Sequence, residues 1–417
     1  MAYTGSWFGG SFGQWFGATV PAIEPAGFVV IAVPDEPVNH TMSWQTDVIK
    51  SWGGLEHRAA VIGYPRESYQ LQFTLDDAEL RFLRAELYRR ATQVFLIPAR
   101  QEALVLAAAL SGSAFDVNNT YADWLIPGRR VILENTSGGY DAGVIQSVGV
   151  GPGVVTATLD PTPVNAYAAG TSFLYPLVPA FLDDSAPTAR YRVNVGTWTA
   201  QARQMQFATS LGVGAALTTY AGLPVIDRRP LANDLNQESN EARLEFADYG
   251  AVIESMRTQV PADIRRTHRY YIPSAAERQY WKLFFQTVMG MQKPFYLSTW
   301  KPDLLVHTQP TSTSLRVYGL PTAPSYLADW FASVGERKLS IELVNGTILY
   351  RAISSAVDNL DGTQTLVMTV AIDTGAVGNI ATISLLEKCR LASDSAVFEH
   401  SSTASRVTLS ALTTRDP

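Results

Sequence analysis

Five histidines, one cysteine and a few neighbouring carboxylates are the residues of this chain suited to acid–base, nucleophilic or metal chemistry. Paired carboxylates such as Asp76-Asp77 and Asp183-Asp184 suit general acid–base work. Asp76 and Asp77, however, open a helical pattern, where carboxylates offset the helix macrodipole, and that structural role is the better reading. No two of His40, His57, His268, His307 and His400 have a metal-ligand spacing such as H-E-x-x-H. Neither a G-x-S-x-G elbow nor a phosphate-binding P-loop occurs. Cys389 is the single cysteine, which excludes intramolecular disulfides and cysteine-based zinc sites. Ahead of Arg390 in a β-like stretch, it reads as a buried, inert thiol. The string Asp358-Asn359-Leu360-Asp361-Gly362-Thr363 resembles the start of a calcium loop. It lacks the acidic position five residues in and the terminal bidentate Glu, so an Asp-Gly hairpin turn fits it better. No catalytic residue, metal ligand or cofactor is nominated, and the expectation is a protein that is not an enzyme.

The elements around these residues point to architecture instead. At 417 residues the chain exceeds the ~100–200 of one domain, so two or three domains are expected. A net charge of −6 with no basic run argues against a sequence-specific nucleic-acid partner. Only 17% of residues are charged, beside 9 Trp, 18 Tyr and 17 Phe; this fits a surface buried against partners and, equally, a β-rich chain. The N-terminus, Met1 to Trp7, carries no basic and apolar signal pattern. The longest aliphatic run, Ala103 to Leu110, is far short of the ~20 residues a membrane helix needs, so no membrane insertion is expected.

The chain also repeats itself. Ala26-Gly27-Phe28-Val29-Val30-Ile31 returns as Ala221-Gly222-Leu223-Pro224-Val225-Ile226. Ser68 to Leu75 alternates, with Tyr69, Leu71, Phe73 and Leu75 on one strand face. A capped helix follows from Asp76, with Glu79 three positions on, and recurs at Ser274 with Glu277. Leu80, Leu83 and Leu87 stripe the first helix; Tyr280, Trp281, Phe284, Phe285 and Val288 stripe the second. Hairpins are predicted at Arg130–Glu134 with Tyr140–Val148, and at Lys338–Val344 with Thr347–Ser354 across Asn345-Gly346. Third strands are predicted at Val154–Asp160 and Leu366–Asp373. Each half closes with an Asp-Ser-Ala string, at Asp184 and at Asp394, ahead of a strand at Tyr191–Thr199 or Ser405–Leu412.

The resulting expectation is a mainly β (α+β) fold. It consists of two tandem copies of a β-sandwich or barrel module with one flanking helix, each with an added small β domain. Residues 1–25 form a glycine/aromatic arm. Copy one is 26–207, with module 26–110, closing strand 186–207 and inserted domain 111–185. A Gly/Ala/Thr-rich linker occupies 208–220. Copy two is 221–417, with module 221–310, closing strand 396–414 and inserted domain 311–395. In the arm, Trp7, Phe8, Phe12, Trp15 and Phe16 are spaced by glycines with neither helical nor strand period, and read as anchors for a neighbouring subunit.

One stretch carries a resemblance. Thr46-Asp47-Val48, the turn Gly54-Leu55-Glu56-His57-Arg58, then Arg66-Glu67-Ser68-Tyr69, a helix after Leu75-Asp76-Asp77, and Phe95-Leu96-Ile97 occur in that order. This resembles the distal tail proteins of long-tailed bacteriophages and related gene transfer agents. In that pattern a Gly-x-Glu-x-Arg turn leads to an Arg-rich strand and a helix; here Gly54, Glu56, Arg58 and Arg66 fill it. Arg58 can fix the turn by pairing with Glu56 or bonding backbone carbonyls. Copy two keeps Arg265 and Arg266 but lacks the Gly-x-Glu-x-Arg string. The resemblance implies a structural virion protein of the tail tip or baseplate, assembled in the host cytoplasm. Its ring would join the tail tube protein to hub or tail-fibre proteins. With two modules per chain, a trimer with pseudo-sixfold symmetry is favoured over a hexamer. The alternative is a receptor- or carbohydrate-binding virion protein, whose aromatic faces would stack on sugars.

Overall fold

The structure, a computed structural model, describes residues 28–30, 33–35, 37–50, 56–89, 93–118, 124–151, 153–182, 188–192, 195–205, 216–232, 238–241, 244–248, 253–257, 263–308, 310, 312–318, 337–372, 379–401 and 404–414. It is mostly β, as the alternating patterns predict. The first half runs β1 (Phe28–Val29), β2 (Val38–Ser43), β3 (Thr46–Lys50), β4 (Glu56–Ala60), β5 (Arg66–Asp76), α1 (Asp77–Arg89), β6 (Phe95–Pro98) and β7 (Leu104–Val105). It continues with β8 (Ala114–Val117), β9 (Arg130–Glu134), β10 (Tyr140–Val150), β11 (Val155–Asp160), β12 (Phe173–Leu182), β13 (Thr188–Arg192) and β14 (Val195–Gln204). After β15 (Thr219–Tyr220), the second half runs β16 (Leu223–Ile226), β17 (Glu238–Glu241), β18 (Leu244–Asp248), β19 (Ile253–Arg257), β20 (Asp263–Ile272), α2 (Ala275–Val288) and β21 (Phe295–Ser298). It ends with β22 (Ser314–Tyr318), β23 (Arg337–Leu343), β24 (Ile348–Asp358), β25 (Thr363–Met368), β26 (Ile380–Leu391), β27 (Ser395–His400) and β28 (Ser405–Thr413).

The two halves pair their strands in one pattern. In the first, β1 lies parallel to β6, then β12, β14, β5 and β2 follow antiparallel. In the second, β16 lies parallel to β21, then β26, β28, β20 and β17 follow antiparallel. Alternation places one face of each long strand inward: Tyr69, Leu71, Phe73 and Leu75 of β5 are buried, as are Arg266, His268, Tyr270 and Ile272 of β20.

Each module's helix begins where the sequence predicts. Glu79 N donates to Asp76 Oδ1 at 2.8 Å and Asp76 N donates to Glu79 Oε2 at 2.7 Å, a complete capping box. Glu277 N donates to Ser274 Oγ at 3.3 Å, but the Glu277 carboxylate accepts from Arg228 instead of reaching back. Leu80 and Leu83 of α1 pack into the first module's core; the side chain of Leu87 lies outside those described. The aromatic stripe of α2 is fully used, with Tyr280, Trp281, Phe284, Phe285 and Val288 all buried.

The added β regions also match. β12, β9, β10, β11 and β8 form one sheet around Leu133, Ile145 and Leu174; β26, β23, β24, β25 and β22 form its counterpart around Leu339, Ile341 and Ile383. The expected inserts, 111–185 and 311–395, assign β12 and β26 wholly to the added domains. Both strands instead run through: Phe173–Pro176 pair with β9, whereas Leu177–Leu182 pair with β6 and β14. A ten-residue strand is long enough to serve two sheets.

Three other expectations need correcting. The strand expected at Leu366–Asp373 is β25, beginning at Thr363, because Gly362 (φ 81°) completes the Asp-Gly turn just before it. The linker's end is structured: β15 folds onto β16 through Ala221 and Gly222, both at positive φ, and Val225 N donates to Thr218 O at 2.8 Å. Finally, each closing run holds a hairpin, not one strand: β13 with β14, and β27 with β28.

Candidate functional site

The missed strand β27 makes the central contact of the molecule. It pairs on one side with β28 of its own half and on the other with β2 of the first half, antiparallel, from Val38↔His400 to Ser43↔Ser395. One sheet therefore crosses from copy one to copy two in the order β5, β2, β27, β28, β20. Met42 of β2 and Trp44 just after it enter the hydrophobic core of copy two, beside Phe285, Phe398 and Leu409.

Four polar contacts fix this junction. Asp394, in the Asp-Ser-Ala string, accepts from Thr46 N (2.6 Å), Thr46 Oγ1 (2.9 Å) and Met291 N (2.8 Å). Gly290, at φ 65°, lies against the same carboxylate; a Cβ there would collide with Asp394 Oδ1 and stand 3.1 Å from Trp44 Cβ. Arg390 of β26 grips Glu56 of β4 in a bidentate pair, Nε to Oε2 at 2.7 Å and Nη2 to Oε1 at 3.0 Å, while its Nη1 donates to Leu391 O. Lys282 of α2 pairs with Glu102, which follows β6 in a short 3-10 turn. Burial alone would raise the Glu102 carboxyl, but the Lys282 and Arg278 charges outweigh it and hold it down at about 2.

The fourth contact joins two histidines. His40 Nε2 lies 3.1 Å from Glu67 Oε2, and the His40 ring stacks on Tyr69 at 4.4 Å. His400 Nε2 lies 3.5 Å from His40 Nδ1, and His400 Nδ1 lies 2.7 Å from Ser405 Oγ. One proton assignment satisfies every nitrogen: Ser405 donates to His400, His400 to His40, and His40 to Glu67. Burial, then the neighbouring His40, holds the His400 imidazole well below its usual range. Burial would raise Glu67 as well, but the hydrogen bond with His40 and the nearby Lys282 charge prevail and lower it. A cleft of about 320 Å³ opens beside this relay, walled by Tyr69, Ile97 and Tyr175 of copy one and by His400 and Ser401 of copy two.

The predicted site residues fall as follows. Glu56 is buried and accepts a bidentate pair from Arg390, 334 positions away. Arg58 stands opposite Val48 in the β3–β4 hairpin, half-buried. Arg66 opens β5, exposed, its carbonyl accepting from Ser43 Oγ at 3.1 Å. Gly54 and the arm residues Trp7, Phe8, Phe12, Trp15 and Phe16 lie outside the described residues. Cys389 is buried against Phe295, and burial pushes its thiol well above the usual value. In the calcium-like string, Asp361 accepts from Thr363 N at 3.1 Å and pairs with Arg316, as a turn carboxylate does.

Among the described residues, no three His, Cys, Asp or Glu side chains stand together as a metal site, and no helix is long and apolar enough to cross a membrane. The geometry is that of a joint: buried ion pairs, a continuous sheet and shared core residues that hold two like modules in one orientation. No protein-family model matches the chain, and no curated protein matches it in sequence.

Proposed function

We propose that this chain is a structural virion protein of a phage tail tip or baseplate, forming a ring that connects the tail tube to the hub or fibres. Three chains supply six modules to that ring. The observation that carries the reading is the head-to-tail junction between β2 and β27. It joins unlike edges of two modules with the same strand order, so repeating the step adds modules in one direction. Contacts of this kind produce a ring when the rotation closes. The buried pairs at Glu56 and Glu102 support a fixed angle between the modules, which closure at a definite number requires.

On this reading the chain's work is mechanical, and its partners are itself, the tail tube protein and hub or tail-fibre proteins. The resemblance around Gly54, Glu56, Arg58 and Arg66 agrees with it, and so does the joint made by Glu56. Electron microscopy of the purified full chain tests the proposal. Ring-shaped particles with six lobes and threefold symmetry are expected; particles with no ring at any concentration would overturn it.

A further inference from the structure

The two copies build one corresponding place differently. Counted from the parallel pairs Val29↔Leu96 and Val225↔Tyr296, Val33 corresponds to Arg229 and Arg100 to Trp300. The antiparallel ladders match as well. Phe95 faces Ala180 and Phe295 faces Cys389, and in the same register Glu134 of β9 corresponds to Glu342 of β23. In copy two, Arg229 lies over the Trp300 ring, 6.0 Å from its centroid, and pairs with Glu342 at 3.3 Å. The Trp300 side chain is buried there. In copy one the arginine comes from the other position: Arg100 pairs with Glu134 at 2.7 Å and lies over the Tyr175 ring at 5.1 Å. Val33, at the place of Arg229, is 49% exposed. Val33 and Arg100 both line the 320 Å³ cleft beside the histidine relay. Copy two thus covers this place with an indole of its own, whereas copy one presents a cleft.

The chemistry of the cleft suits the same group. Leu71, Ile97 and Val178 line it, together with the rings of Tyr69 and Tyr175. Its volume is at the lower end of the ~300–1,000 Å³ of ligand sites, room for a ring system rather than a length of chain. Gln101 and Ser401 also line it, and each carries a side-chain oxygen able to accept an indole N–H. Because Ser401 and His400 belong to copy two, an occupant touches both modules of the receiving chain.

The chain carries a source of indoles that its described core does not use. Trp7 and Trp15 stand between glycines in the segment before β1, outside the described residues. Trp15 precedes Phe28 by 13 residues, a reach of up to about 40 Å. Direction selects the recipient. β1 runs parallel to β6, from Phe28 beside Phe95 towards the cleft at Ile97 and Pro98. The segment before Phe28 therefore leaves the module at the end of β6 farther from its own cleft, and points towards another copy. Each chain brings one arm and one copy-one cleft, so arms passed in one direction around a ring match clefts one to one.

We infer that the copy-one cleft receives an indole, Trp7 or Trp15, from the arm of a neighbouring copy of this chain. This deepens the ring reading and rests on it. Photo-cross-linking tests it in the full chain, with p-benzoylphenylalanine replacing Val33 or, in a second variant, Gln101. Equal parts of heavy-isotope-labelled and unlabelled chain are mixed before irradiation. Adducts joining the probe to residues 1–20 are expected, with mixed-label pairs as abundant as like-label pairs. Trp7→Ala with Trp15→Ala should lower the adduct yield roughly tenfold, the scale of losing one buried aromatic; an unchanged yield would overturn the choice of an indole. Adducts without mixed labels would overturn the neighbour as donor. Rings by electron microscopy with no adduct to residues 1–20 from either probe would overturn the cleft assignment and leave the ring reading standing. A chain that forms neither rings nor mixed-label adducts would overturn both.

Discussion

Cutting the ion pair between Glu56 and Arg390 should separate the two copies energetically. Both partners are almost fully buried, with side-chain exposures of 3% and 9%, and two hydrogen bonds of 2.7 and 3.0 Å join them. Among the described residues, Glu56→Ala leaves that guanidinium only its bond to Leu391 O. Removing one partner of a buried pair costs about 3–5 kcal/mol, a large share of the ~5–15 kcal/mol that stabilises a domain. Replacing both, as Glu56→Leu with Arg390→Met, removes the stranded charge and should cost less than either single change. The coupling energy from the four-variant cycle should therefore reach about 2–3 kcal/mol, the upper end for contacting residues. Urea unfolding followed by tryptophan fluorescence measures it, because Trp281 and Trp44 report the copy-two core that the junction completes. The single variants should also split one transition into two as copy one is released from copy two. Single substitutions costing under ~1 kcal/mol, the scale of a surface pair, or a double variant costing the sum of the singles would refute this account of the joint.

Three further outcomes follow from the same contacts. Burial and then His40 hold His400 well below its usual value, amid Glu67, Glu102, Lys282 and Arg278, so the unfolded chain protonates first, and the contribution of His400 to stability is lost as pH drops below ~6.5; Glu79, raised to about 7 by burial, works in the opposite direction. Glu67 and Glu102 are also lowered, so their contributions are lost only at more acid pH; between pH 6.5 and 5 the wild type should lose more stability than His400→Asn in urea titrations, and equal losses would count against the relay. Gly290→Ala should cost at least ~2 kcal/mol, combining a positive-φ penalty with the collision at Asp394, and an unchanged melting temperature would contradict that packing. Deleting residues 1–20 should leave a folded chain with the wild-type far-ultraviolet circular dichroism per residue but weak assembly by analytical ultracentrifugation; normal assembly would refute an inter-subunit role for Trp7, Phe8, Phe12, Trp15 and Phe16.

The local elements were legible because their signals are local. Alternation over Ser68 to Leu75 fixes the inward face of β5, and the spacings Asp76 to Glu79 and Ser274 to Glu277 place the helix starts. Asn345-Gly346 marks its hairpin, with Gly346 at φ 82°. The junction was hidden for the opposite reason. Its partners lie 334, 348 and 360 positions apart, and no sequence spacing encodes such distances. Part of the signal was present in Ala396, Phe398 and His400, buried at alternate positions of a six-residue strand ahead of a Ser/Thr-rich turn. That run is short and ends in polar residues, so on sequence it is not separable from the closing strand. Glu56 illustrates the same limit: its bond to Arg390 spans 334 positions, whereas a turn pattern reaches only neighbouring residues.

Native mass spectrometry of the full-length chain tests the ring of three two-module chains most directly, because it counts chains without assuming a symmetry. The account predicts a closed species of three chains that appears with rising concentration and gives way to the single chain, without an extended ladder. A chain that stays single at every concentration, or a ring of six chains, would contradict it.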